Sequence, residues 1–238
     1  MQTINNPNKV TLEQARRVLE VVDAGLSNGL GEPTPGKMCV EAAVCYALGQ
    51  PHGDEPSCVH PVVRRLKIAL NDKNWSNNVE RAKGMRELAI AQLGTADESF
   101  DVQVFVKTLA SETIKQIVPI ALRALLEFKF YAPHTVAFEA AISACAGGSY
   151  NAAKATKKLI NEIKSADAAA DAAAYAAAAD AADYAAYAAA YADDAAAHAA
   201  ADAAARNKAL STAAKCGVIA LRAAGAHGVT LLDQINAA

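Results

Sequence analysis

No stretch of about 18 apolar residues free of charge occurs in the 238-residue chain, so no membrane-spanning helix is expected. The opening residues, MQTINNPNKV, hold no apolar signal-peptide core, and a cytoplasmic location follows as the expectation. Cysteine is sparse and odd in number. Cys39, Cys45, Cys58, Cys145 and Cys216 stand at irregular spacing, which excludes a disulfide scaffold and points to reduced thiols. Aromatic residues make up only 5% of a chain that is 53% hydrophobic, because 59 alanines supply close to half of that hydrophobic share. An excess of one charge is missing too. Lys and Arg number 23 against 25 Asp and Glu, a net −2, which argues against a surface given over to nucleic acid. No segment alternates apolar and polar residues as a strand would.

What is present is helical. Thr11 and Gln14 form a capping-box pattern, and Val10 with Ala15 suits a hydrophobic staple. Ala15, Val18, Leu19, Val22 and Leu26 then recur at helical spacing. The stretch GLSNGLGEPTPG (25–36) breaks this first helix. A second helix is expected from about Lys37 to Leu48, and a third from Pro61, a residue favoured at the first helical position. Asn77 with Glu80 starts a fourth that ends near Gly94, and Ser99 starts a fifth that Pro119 ends, kinks or restarts. Another helix runs to Tyr131, and the next ends at Gly147-Gly148. From Ser149 to Cys216 there is neither Gly nor Pro. One helix of that length would reach about 100 Å, so a break is expected at Tyr191–Asp194 or Arg206–Lys208. The expected class is all-α, a multi-helix array with long Ala-rich C-terminal helices. Composition divides it into an amphipathic domain, 1–148, and an Ala-rich segment packed on it, 149–238.

Charge divides the same way. Residues 1–164 balance at +2 and residues 165–238 at −4. Between Ser165 and Ala205, 28 of 41 residues are Ala, and none is Lys or Arg. At 100° per residue Tyr184, Tyr187 and Tyr191 fall within about 60° of one another, with Asp180, Asp183, Asp194, His198 and Asp202 on the same half. That face suits an acidic groove, a stacking surface for a base, or an interface with another protein, while the alanine half lets helices approach closely. An ice-binding helix would instead carry small, regularly spaced Thr-like groups.

The densest polar chemistry lies in the loop QPHGDEPSCVH (50–60). His52, Asp54, Cys58 and His60 are all zinc-type ligands, but their i,i+2 spacing is not that of the short paired motifs zinc sites use. Cys39-Val40-Glu41 with Pro56-Ser57-Cys58 has only part of a zinc-deaminase signature and lacks its second cysteine. Gly31 to Lys37 mimics a phosphate loop, yet Met38 cannot hold magnesium and Pro33 and Pro35 have no N–H to give. Gly36-Lys37 survives as an anion site at the start of the second helix. Arg64, Arg65 and Lys67 are placed on the polar side of the third helix, with Arg81, Lys83 and Arg86 following on the fourth. If the loop brings Lys37, His52, Asp54 and His60 to Arg64 and Arg65, the result is a cationic pocket for a small anionic molecule.

The run GLGEPTPGKMCVEAAVCYALGQPHGDEPSCVHPVVRRLKIALND (29–72), followed by Trp75-Ser76, resembles a family of helical proteins of bacteria and their phages with Ala/Asp/Tyr-rich C-terminal helices. The family brings no assigned activity. Its phage context implies a small protein that sequesters a host signalling nucleotide or blocks a host factor. The leading expectation is therefore a non-enzymatic binding protein for a small anionic, nucleotide-like ligand. It would use Lys37, His52, Asp54, His60, Arg64 and Arg65, with Tyr184, Tyr187 and Tyr191 for stacking and no cofactor. The alternatives are an assembly module built on the Ala/Tyr/Asp helix, as a homo-oligomer or on a host protein, and a metal-dependent hydrolase at His52, Asp54, Cys58 and His60.

Overall fold

The computed structural model describes residues 10–126, 132–165 and 203–238. Among them are nine α-helices, a short 3-10 turn at Ala132–His134 and no strand, so the fold is all-α. The helices are α1 (Leu12–Asp23), α2 (Val40–Ala47), α3 (Pro61–Asn71), α4 (Asn78–Ala91), α5 (Val102–Leu126), α6 (Thr135–Cys145), α7 (Tyr150–Ser165), α8 (Ala203–Ala223) and α9 (His227–Asn236). None of the described helices is long and apolar enough to cross a membrane.

Local sequence sets the starts. Thr11 caps α1 reciprocally: Gln14 N–H donates to its hydroxyl at 3.2 Å and Thr11 N–H to the Gln14 side chain at 2.8 Å. The His60 ring caps α3, its Nδ1 accepting from Val62 N–H at 3.2 Å, with Pro61 at the first helical position. Asn77 caps α4 by accepting from Glu80 N–H at 2.9 Å.

Three expectations about boundaries are corrected. Helix α2 begins at Val40, not at Lys37, because the preceding residues fold back on themselves. Glu32 N–H donates to the Lys37 carbonyl at 2.8 Å, Gly31 and Met38 form an antiparallel bridge, and Gly36 takes φ +86°. The Cys39 thiol then serves as the cap, accepting from Ala42 N–H at 3.4 Å. Pro119 neither ends nor restarts α5, which runs through it from Val102 to Leu126. Arg206–Lys208 is not a break, since α8 passes through it; the other candidate, Tyr191–Asp194, lies outside the described residues.

Packing follows a different seam from composition. The main core joins α1, α2, α3, α4 and the first half of α5 to α8 and α9, around Val22, Leu26, Leu66, Leu88, Phe105 and Leu221. A smaller cluster of Leu122, Phe138, Ile142 and Ile160 joins the end of α5 to α6 and α7. The turn between α6 and α7 lies hard against α5. Gly148 has φ +65°, and a Cβ on it would stand 2.2 Å from Ser111 Oγ, so only glycine serves there.

Helix α8 is tied to the start of α4. Asn207 accepts from Ser76 N–H at 3.1 Å and donates to the Ser76 hydroxyl at 2.7 Å. Glycines bring the partners close. A Cβ on Gly217 would meet Leu88 Cδ1 at 3.0 Å, and one on Gly84 would meet the Trp75 ring at 2.2 Å and Ser211 Oγ at 2.9 Å. Trp75 is buried beneath, its indole N–H donating to the Leu70 carbonyl at 2.9 Å.

Candidate functional site

Lys67 and Arg81 are not on polar faces, and both placements are corrected. Lys67 is fully buried and donates to Glu41 Oε2 at 3.1 Å; Glu41 is fully buried as well. The same oxygen accepts from Gln92 Nε2 at 3.2 Å, so α2, α3 and the C-terminal cap of α4 meet at one carboxylate atom. Burial pushes Glu41 up and Lys67 down, each opposed by the charge of the other. Glu41 Oε1 has no partner among the described residues. A cavity of about 30 Å³, enough to admit water, is bordered by Cys39, Glu41, Asp54, Asn71 and Asp72. Arg81 is clamped inside: its Nε donates to the Asn71 carbonyl at 2.8 Å, and one Nη to the Leu26 carbonyl at 3.0 Å and to Asn78 Oδ1 at 2.7 Å. Both cations are therefore structural, one fixing α3 on α2, the other fixing α4 on the ends of α3 and α1.

Over the buried pair lies the 50–60 loop, which closes on itself. Gln50 donates to the Ser57 hydroxyl at 2.8 Å and accepts from Ser57 N–H at 3.1 Å. His52 Nε2–H donates to the Gly31 carbonyl at 3.1 Å. Arg64 is ion-paired with Glu55, and that hydrogen bond raises its already high pKa. Lys37 pairs with Glu32 at 3.3 Å, both exposed, and does not stand at a helix N-terminus, so the anion site expected at Gly36-Lys37 lacks its helix. His60 is turned to its own helix, and burial lowers its pKa. Its backbone N–H donates to Thr95 Oγ1 at 3.0 Å, and its ring lies 5.9 Å from that of Phe100. Cys58 is fully buried, its thiol pushed up by burial. Asp54 is half-buried at the small cavity, and Arg65 is exposed.

The loop cations Lys37 and Arg64 are thus each met by a carboxylate of the same region, and the histidines by backbone. Among the described residues no three His, Cys, Asp or Glu side chains converge as a metal site would require, and His52 and His60 are turned to separate backbone partners, the Gly31 carbonyl and the Val62 N–H. Tyr184, Tyr187 and Tyr191, and with them the stacking and assembly surfaces, lie outside the described residues.

The larger concavity lies between α4 and α8. Its volume is about 240 Å³, and its polar lining is Lys83, Arg86 and Glu87 from α4 with Ser211 and Lys215 from α8. Leu88, Ala214 and Val218 make its apolar side, and Gly84 lets the two helices approach. Arg86 grips Asp23 of α1 through two bonds, Nε to Oδ1 at 2.8 Å and Nη2 to Oδ2 at 3.2 Å. That leaves both Nη1 hydrogens without a partner among the described residues. Lys83 leans on Glu80 at 2.7 Å and keeps two ammonium hydrogens. Lys215 has no acidic partner within 4.0 Å among the described residues. Sequence reading singled out Lys83 and Arg86 as basic but missed Ser211 and Lys215. The available signal was their i,i+4 spacing just after a long segment devoid of Lys and Arg.

No family model, curated protein or solved structure matches this chain.

Proposed function

We propose that this chain is a non-enzymatic binding protein for a small anionic ligand, held between α4 and α8. The observation that carries this reading is the convergence of Lys83, Arg86 and Lys215 on one cleft of about 240 Å³, with Lys215 unpaired among the described residues. Lys83 and Arg86 are paired with Glu80 and Asp23 outside the cleft, but each keeps donor hydrogens beyond its pair, and with Lys215 they give a concave surface charge-assisted donors from both helices. The resemblance to helical proteins of phages makes sequestration of a host anionic molecule a role consistent with such a site.

Isothermal titration calorimetry with inorganic phosphate at low salt tests this. The protein is expected to bind phosphate one to one. The Arg86→Ala, Lys215→Ala pair is expected to weaken binding at least about tenfold, with an unchanged circular dichroism spectrum. Arg64→Ala with Arg65→Ala serves as the matched control on the loop and leaves affinity within about twofold. Absence of a saturable heat with the wild-type protein overturns the proposal, as does loss of binding in the loop control alone.

A further inference from the structure

We infer that Asn28-Gly29 is a site of spontaneous deamidation that the fold holds shut through Asp72, and that it reacts when the 25–38 segment opens. Asn28 is the one asparagine of twelve that precedes a glycine. The reaction is an attack by the next residue's backbone nitrogen on the asparagine side chain, and a side chain on that next residue crowds the nitrogen. Here nothing crowds it. A Cβ placed on Gly29 would meet no atom within 4 Å beyond its chain neighbours, and Asn28 is exposed. The step needs no co-reactant but water. Gly29 N bonds to Asn28 Cγ, the Cγ–Nδ2 bond breaks, and ammonia leaves with the proton that Gly29 N gives up, closing a cyclic imide. Water then opens either C–N bond of the imide and returns a proton to Gly29 N. Opening at Cγ leaves an aspartate at position 28. Opening at the backbone carbonyl leaves an isoaspartate, whose chain runs through the side chain and is one atom longer.

In the folded chain Gly29 N is occupied. Its N–H donates to Asp72 Oδ1 at 3.0 Å, and Asn71 Nδ2 donates to the same oxygen at 2.9 Å. Asn71 is buried and ties the neighbourhood together: its Nδ2 also donates to the Ser27 carbonyl at 2.9 Å, and its Oδ1 accepts from Val40 N–H at 3.2 Å. Two effects follow. The nitrogen must leave Asp72 before it can swing to Cγ. A carboxylate beside it also opposes the negative charge that builds on the nitrogen as its proton goes. The flanks are pinned as well. Ser27 N–H donates to the Met38 carbonyl at 2.9 Å, and Cys39 N–H donates to the Leu30 carbonyl at 3.2 Å. Attack therefore waits on local opening of this fold-back. The product does not restore it. The extra backbone atom of an isoaspartate falls between those two anchors, next to the small cavity that Gly29, Leu30 and Glu41 border. An opening event is thereby recorded as a permanent covalent change at the entry to α2.

The test keeps the full chain at physiological temperature and neutral pH, folded or unfolded in guanidinium chloride, and follows each asparagine by peptide mass mapping. Trypsin releases Val18–Lys37, in which Asn28 is the only amide side chain, and deamidation exchanges NH for O in its mass. Labelling by isoaspartyl methyltransferase separates the two products. In the unfolded chain Asn28 is expected to convert at least about tenfold faster than any other asparagine, and at least about tenfold faster than in the folded chain. Folded Asp72→Ala should convert at least about tenfold faster than folded wild type, and Asp72→Asn, which keeps an acceptor but drops the charge, about threefold faster. Glu32→Ala breaks an exposed ion pair of the same segment and should stay within about twofold. An unfolded chain in which Asn28 is no faster than the other asparagines would overturn the site itself. Equal rates folded and unfolded, or both Asp72 variants at or below the wild-type rate, would overturn the restraint. Acceleration in Glu32→Ala equal to that in Asp72→Ala would trace the effect to general loosening of the segment and overturn the role of Asp72.

Discussion

Replacing Lys67 by Met should be among the most damaging single changes available in this chain. Lys67 and Glu41 are both fully buried, and among the described residues Glu41 Oε2 accepts from only Lys67 at 3.1 Å and Gln92 at 3.2 Å. Glu41 Oε1 has no partner among the described residues. Methionine fills the space of the lysine stem, so the loss is electrostatic and not a cavity. It strands a carboxyl group in the core with one remaining hydrogen bond, a situation that costs about 3–5 kcal/mol. Against a total stability of about 5–15 kcal/mol this is a large share. With a urea slope of about 3 kcal/mol/M, it lowers the unfolding midpoint by about 1–1.7 M. Glu41→Gln alone should cost a similar amount, because it strands the buried ammonium instead. Combining the two removes both charges, and the double variant should recover most of the loss, since an uncharged pair of similar volume is often neutral or better. Urea titrations of the four proteins, followed by circular dichroism, give the coupling directly. A cost below about 1 kcal/mol for Lys67→Met would refute the reasoning, because it would mean the pair is hydrated like a surface ion pair. Simple additivity in the double variant would refute it equally.

Three further outcomes are expected. Arg81→Met removes the donors to the Leu26 and Asn71 carbonyls and should cost about 2–4 kcal/mol by the same urea assay. His60 has its pKa lowered by burial, so the denatured state takes up a proton below the ordinary value of 6.5 that the fold resists. Stability should therefore decline as pH falls from 7.5 to about 5.5, and His60→Asn, which keeps a capping acceptor, should flatten that part of the profile in paired denaturation curves. All five thiols are buried, with Cys45 pushed up to about 11 and Cys216 to about 12. The native protein should react slowly with a disulfide reagent and release five equivalents promptly in urea, and fast reaction of any one thiol in the folded state would contradict the burial described.

Features written in adjacent residues were legible. Thr11 with Gln14, Pro61 after His60, and Asn77 before Glu80 announce helix starts because a cap is a contact between a residue and its near neighbours. The start of α2 was misplaced because the fold-back at Gly31 and Met38 is a backbone arrangement with little side-chain signature. Lys67 and Arg81 were misassigned by residue type, although their spacing held the answer. Val63, Leu66, Lys67 and Leu70 are i, i+3, i+4 and i+7 of one buried stripe, and Arg81, Met85 and Leu88 repeat the pattern on α4. Glu41 within MCVEAAVCYA and Gln92 within LAIAQLG are the matching signal, polar residues set in apolar runs. Which cation meets which carboxylate was not readable, because the pair spans 26 residues and depends on how α2 lies on α3. The α4–α8 cleft was out of reach for the same reason, its two walls being more than a hundred residues apart in sequence.

The closure of the main core by α8 and α9 has a consequence for how the chain is made. Asn207 reaches back to Ser76, Gly228 N–H donates to the Leu93 carbonyl at 2.8 Å, and His227 donates to the Val10 carbonyl across 217 residues. Until residues 203–238 have been synthesised, Leu66 and Leu88 lack the helix that packs over them at Gly217. At about 5–20 residues per second the 111 residues between the end of α4 and the start of α8 take roughly 6–22 seconds to add, and the nascent chain spends that interval with an open apolar groove on α3 and α4. Folding of the main core therefore waits on residues 203–238, and holdase chaperones have a defined surface to cover until then.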